Sequence, residues 1–153
     1  MFLTVHATAG AIIGQYCPNV WLSFTLGFIS HLLLDAIPHG DDKLVEGEII
    51  TTKETVIKIA LIALVDGLIA CALLINLYSY GFLPLSWPMV AAVAGSIVPD
   101  LITGFYLLTK NKFLEKVVFW HFELNFITKK HVSFTTGLII QILTLLILII
   151  IIL

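Results

Sequence analysis

Five side chains that ionise or bind metals fall inside otherwise apolar runs: His6, His31, Asp35, Asp66 and Asp100. Each is expensive within a hydrophobic environment unless it is paired, hydrated or bound to a metal, so each marks a candidate site. His31 and Asp35 stand four residues apart in "GFISHLLLDAIPHGDD", a spacing that puts both on one face of a helix. That spacing suits an intrahelical ion pair or two ligands on one metal. Asp100 follows Pro99 in "SIVPDL", where a proline inside a helix bends it and frees a carbonyl. Broken helices of this kind are tolerated in membranes where they line a cavity. His39 follows Pro38 directly, and His121, Glu123 and His131 sit near lysines in a later polar stretch. Imidazole with carboxylate and no thiolate suits a divalent metal, zinc first, with manganese or iron as alternatives.

The rest of the chain must position these groups. It has 153 residues, 59% hydrophobic and 12% charged, with a mean hydropathy of +1.07. That balance belongs to the membrane class. A net charge of −2 offers no basic face for nucleic acid. All eight basic residues are lysine, so there is no bidentate guanidinium clamp for phosphate. Cys17 and Cys71 form no spacing motif and read as inert. The first segment lacks a basic leader region and a small-residue cleavage site, so it is expected to be retained.

Five apolar segments emerge, at about Phe2–Gln15, Trp21–Ile37, Thr55–Tyr78, Met89–Thr109 and Val132–Leu153. The expected fold is all-α: one polytopic integral membrane helical bundle over residues 1–153. It would have about five transmembrane helices and an interfacial amphipathic helix within Lys110–Lys130. Lysines concentrate in the second-to-third and fourth-to-fifth connections, while the Tyr16–Asn19 and Ser79–Trp87 turns hold none. The positive-inside rule then places both Lys-bearing connections and the N-terminus in the cytoplasm. With this topology the five groups inside apolar runs lie at similar depth on the cytoplasmic side, together with His39, His121, Glu123 and His131. Four-residue steps of small residues accompany them, in His6-Gly10-Gly14, Gly27-His31-Asp35 and Ser96-Asp100-Gly104. Such stripes let helix backbones approach closely.

The stretches "VHATAGAIIG", "GFISHLLLDAIPHG", "SIVPDL" and "WHFELNFITKKHVS" resemble the membrane-bound, metal-dependent hydrolases known as LexA-binding inner-membrane-associated proteins. More distantly they are similar to the zinc-dependent phospholipase C and single-strand nuclease group. By that resemblance His6 matches the family's early His, Asp100 its Pro-Asp, and His31 with Asp35 its His-xxx-Asp. His121 or His131 would match the remaining His block, and His39 a following ligand. The order of the blocks differs here, with His-xxx-Asp ahead of Pro-Asp. The resemblance implies an inner-membrane metal-dependent hydrolase acting on a phosphoester or a lipid headgroup. Asp66 or Glu123 would serve as general base if within reach of the attacking water. Intramembrane acids and histidines also build ion or proton pathways, or act as interhelical glue in a structural membrane subunit. Those are the two alternative expectations.

Overall fold

The computed structural model describes residues 1–40, 53–119 and 132–153. Five main helices follow in chain order: α1 Leu3–Tyr16, α2 Val20–Asp35, α3 Lys53–Ser79, α4 Trp87–Thr109 and α5 Phe134–Ile152. No strand occurs among the described residues, and residues 112–119 form a further short helix. Local chemistry sets most boundaries. Asn19 caps α2 by accepting from Leu22 N–H at 2.9 Å, and Ser86 caps α4 by accepting from Met89 N–H at 3.3 Å. Ser133 caps α5 through Thr136 N–H at 3.1 Å. Each side-chain oxygen thereby satisfies one of the donors left open at a helix start.

α1 has no such cap of its own, and the reason lies in where it sits. It packs against all four other main helices and is buried along most of its length. Its first-turn donors are met by other helices instead. Phe2 N–H donates to Gln141 Oε1 on α5 at 2.7 Å, and Thr4 N–H to Asp66 Oδ2 on α3 at 3.3 Å. The Thr4 hydroxyl also donates to Asp66 Oδ1 and lies 3.1 Å from the Asp66 carbonyl. A carboxylate at a helix N-terminus complements the helix dipole as well as the open donors.

Among the described residues three helices, fewer than the five expected, are long and apolar enough to cross a membrane: Glu54–Ser79 within α3, together with α4 and α5. α1 has 14 residues and α2 has 16. At 1.5 Å per residue they reach roughly 21 and 24 Å, short of the roughly 30 Å hydrocarbon core. α1 is an interior element wrapped by protein. The three long helices turn outward Leu64, Leu68, Phe105, Leu108, Leu146 and Ile150, each more than half exposed or nearly so. Residues 112–119 present Phe113 and Val117 beside Lys112 and Lys116, all exposed.

α2 and α4 form the tightest seam. A Cβ added to Gly27 would overlap the Ala92 carbonyl, and one added to Gly95 would overlap the Phe24 carbonyl. The two backbones therefore touch reciprocally through paired glycines. Gly104, expected to extend this stripe, faces open space. At one end of the bundle Ala11, Leu77, Leu83, Met89 and Ile152 close an apolar cluster. The ionisable side chains gather at the other end.

Candidate metal centre

His6 comes from α1, His31 and Asp35 from the last turns of α2, and Asp100 from α4 just after Pro99. The seams described above bring the three helices together at this level. His6 Nε2 lies 3.1 Å from Asp35 Oδ1, and His31 Nε2 lies 3.3 Å from Asp35 Oδ2. His31 Nε2 is also 3.8 Å from Asp100 Oδ1. The two imidazoles stack with centroids 4.1 Å apart and planes 23° from parallel. Both histidines are fully buried, Asp35 nearly so, and the Asp100 side chain keeps 31% of its surface exposed. Asp100 is thus the member through which the cluster reaches its surroundings.

The imidazole of His31 is held from behind. Its Nδ1–H donates to the Ser96 carbonyl at 2.8 Å. That bond leaves Nε2 as the nitrogen facing the carboxylates, the arrangement by which metal-binding histidines are oriented. Pro99 contributes here: it has no N–H for the Gly95 carbonyl and loosens the ladder next to Ser96.

His6, His31 and Asp100 each offer a ligand atom within 4.8 Å of the others. Metal bonds of about 2.0–2.2 Å place neighbouring ligand atoms roughly 3 Å apart, so small side-chain movements close this set around one ion. His6 adds a second sign of fit. Its Nδ1 is buried with no hydrogen-bond partner among the described residues. Leaving such a group unmet costs about 1–3 kcal/mol, and a cation bound through Nδ1 would remove that penalty. Asp35 Oδ1 accepts from the Met1 ammonium at 2.6 Å and lies 3.1 Å from His6 Nε2, while its Oδ2 lies 3.3 Å from His31 Nε2. The residues present therefore fit a divalent metal, with Asp35 as a fourth ligand or as the anchor of both rings.

The remaining sequence candidates lie elsewhere. Asp66 bonds Thr4 across the α1/α3 seam and is not part of the three-ligand group. His39 is buried, at 3% exposure, but its Nδ1–H donates to the Ile37 carbonyl and its own carbonyl accepts from Gln141 Nε2 at 3.0 Å. It contributes no atom to the three-ligand group. His121, Glu123 and His131 lie outside the described residues. Ser96 and Gln141 were not among the expected site residues. Ser96 acts through its backbone carbonyl, which carries no side-chain signal, and Gln141 is a lone amide in a Leu/Ile run.

The capping geometry makes a prediction. Asp66→Ala leaves Thr4 N–H without its partner inside the bundle, with the backbone carbonyl of residue 66 still open to the hydroxyl, and is expected to lower stability by about 1–3 kcal/mol. Metal content should not change, because Asp66 is outside the ligand group. Asp66→Asn keeps an accepting oxygen and should lose less. Thermal unfolding in detergent with parallel metal analysis checks both expectations. Comparison with known proteins finds no matching family model, no similar curated protein and no similar solved structure.

Proposed function

We propose that the chain is a metal-dependent hydrolase of the inner membrane acting on a phosphoester or lipid headgroup at the cytoplasmic side. The observation that carries this reading is the convergence of His6, His31 and Asp100, from three separate helices, to within 4.8 Å. Zinc is the preferred ion because the donors are imidazole and carboxylate and the set is small enough to leave a position open. When bound, such an ion lowers the pKa of water and polarises a phosphoryl oxygen. Asp35 holds both imidazoles in place. With Asp66 engaged by Thr4 and Asp35 by the Met1 ammonium and His6, Asp100 is the carboxylate that faces the open side, where water enters.

The assay is release of phosphate or headgroup from phospholipids and from a generic phosphodiester, with added zinc or manganese and then with chelator. Metal-dependent, chelator-sensitive turnover is expected. Protein that binds no metal under either condition would end this reading. The orientation is tested separately, with single cysteines at Asn19 and Lys112 in intact membrane vesicles. They should be labelled from opposite faces, with Lys112 on the cytoplasmic side, as the lysine asymmetry requires.

A second reading draws on the run from His6 through Asp35 to His31, at 3.1 and 3.3 Å, with Asp100 3.8 Å beyond and one water or small side-chain movement from closing it. Such a run is also what a proton relay needs. Bound metal without turnover, together with proton flux in proteoliposomes, would favour it.

A further inference from the structure

A groove runs along the α1/α3/α5 side of the bundle. α3 and α5 both pack on α1 without a substantial seam between them, which leaves a volume of about 510 Å³. That falls within the about 300–1,000 Å³ of small-molecule sites. Leu61, Val65 and Ile69 form one wall, and Leu138, Ile142 and Leu145 the other. Thr4 and Val5 line its floor. Thr4 is two residues from His6, roughly 200° round the helix, so groove and cluster lie on opposite faces of α1.

The polar side chains in the groove are already engaged. Asp66 is bonded to Thr4, and Gln141 bridges Phe2 N–H and the His39 carbonyl. What the groove offers an occupant is therefore hydrocarbon. Both walls belong to helices long and apolar enough to span a bilayer, and Leu61, Val65, Ile69 and Ile142 are each about half exposed. The groove is continuous with that lipid-facing surface, so a hydrocarbon chain reaches it sideways without crossing water. Phe2 and Gln141 mark its end near the start of α1, while Ile69 and Leu145 lie deeper.

We propose that this groove holds one acyl chain of a membrane lipid, with the headgroup at the N-terminal end of α1, where Phe2 and Gln141 close the groove. Occupancy of the groove stands apart from the chemistry of the cluster. Its bearing on substrate rests on the hydrolase reading, and there it selects a lipid over a soluble phosphoester.

The test uses the full chain in phosphatidylethanolamine/phosphatidylglycerol vesicles that contain a phospholipid with a photoreactive group near the end of one acyl chain. Illumination should label the Leu61–Ile69 and Leu138–Leu145 walls at least tenfold more than Leu101, Phe105 and Leu108, which are equally exposed on α4. Filling the groove with Val65→Trp and Ile142→Trp should abolish that labelling, while Leu101→Trp should leave it unchanged. Should the double variant fail to fold, Val65→Cys in a Cys17→Ser, Cys71→Ser background, modified with a bulky thiol reagent after assembly, gives the same block. Even labelling around the bundle, or labelling that survives the block, would overturn the proposal. So would disulfide crosslinking of two chains through Val65→Cys, which would make a second copy the occupant. His31→Ala protein should be labelled like the unaltered chain, and wall labelling of the unaltered, metal-supplied chain without turnover would overturn the hydrolase reading alone.

Discussion

His31→Ala protein, purified without chelator, is expected to retain no stoichiometric zinc, where the unaltered chain retains close to one ion. His31 is the most constrained member of the cluster. Its Nδ1–H is anchored on the Ser96 carbonyl at 2.8 Å, and its Nε2 faces Asp35 and Asp100 at 3.3 and 3.8 Å. Losing an outer partner of a metal ligand commonly lowers affinity about 10–100-fold, so loss of the ligand itself should exceed about 100-fold. Asp100→Ala is expected to do the same. Asp35→Asn keeps a side chain of the same shape and should fall nearer the 10–100-fold range if Asp35 anchors the rings rather than binding the ion. His39→Ala should leave the metal in place, since His39 is held by Ile37 and Gln141. Elemental analysis and chelator competition measure all four, and thermal unfolding separates metal loss from misfolding. Full metal content in the His31→Ala protein would remove the cluster as the binding site.

The second large effect is expected at the α2/α4 seam. Gly27→Ala and Gly95→Ala each place a Cβ on top of a backbone carbonyl, at Ala92 and Phe24 respectively, and neither carbonyl can rotate away as a side chain could. Overpacking a closed interface costs about 1–3 kcal/mol and more where backbone must move, so both variants should lie at or beyond the upper end. The site should fail with the seam, because His31 and Asp35 belong to one partner and Asp100 to the other. Metal affinity is therefore expected to fall although neither glycine touches the cluster. Gly104→Ala provides the contrast. Nothing lies within 4 Å of its added Cβ, and alanine is up to about 1 kcal/mol better than glycine inside a helix. Its thermal midpoint should hold or rise. Equal destabilisation at Gly27, Gly95 and Gly104 would show that helix propensity, not the seam, governs these positions.

The features legible along the chain are mainly one-dimensional. Long apolar runs bounded by Pro, Asn and Ser fix where helices begin and end, because capping and hydrophobicity act within a few residues. The third segment, expected at Thr55–Tyr78, is a helix over Lys53–Ser79. The pairing of His31 with Asp35 follows likewise from the helical repeat, and it is present at 3.3 Å. Apolarity alone does not separate a helix that meets lipid from one that meets other helices. α1 and α2 therefore read as spans in the sequence, and only packing shows α1 to be the buried centre of the bundle. Asp66 shows the same limit. An acid in an apolar run signals that some partner must exist, yet only the approach of α3 to the start of α1 decides that the partner is Thr4. Gln141 gave no signal, since its role needs two partners more than one hundred residues away, Phe2 and His39. The meeting of His6, His31 and Asp100 is likewise tertiary: it depends on glycine seams whose contacts are set by which helices face each other, and no residue specifies that alone.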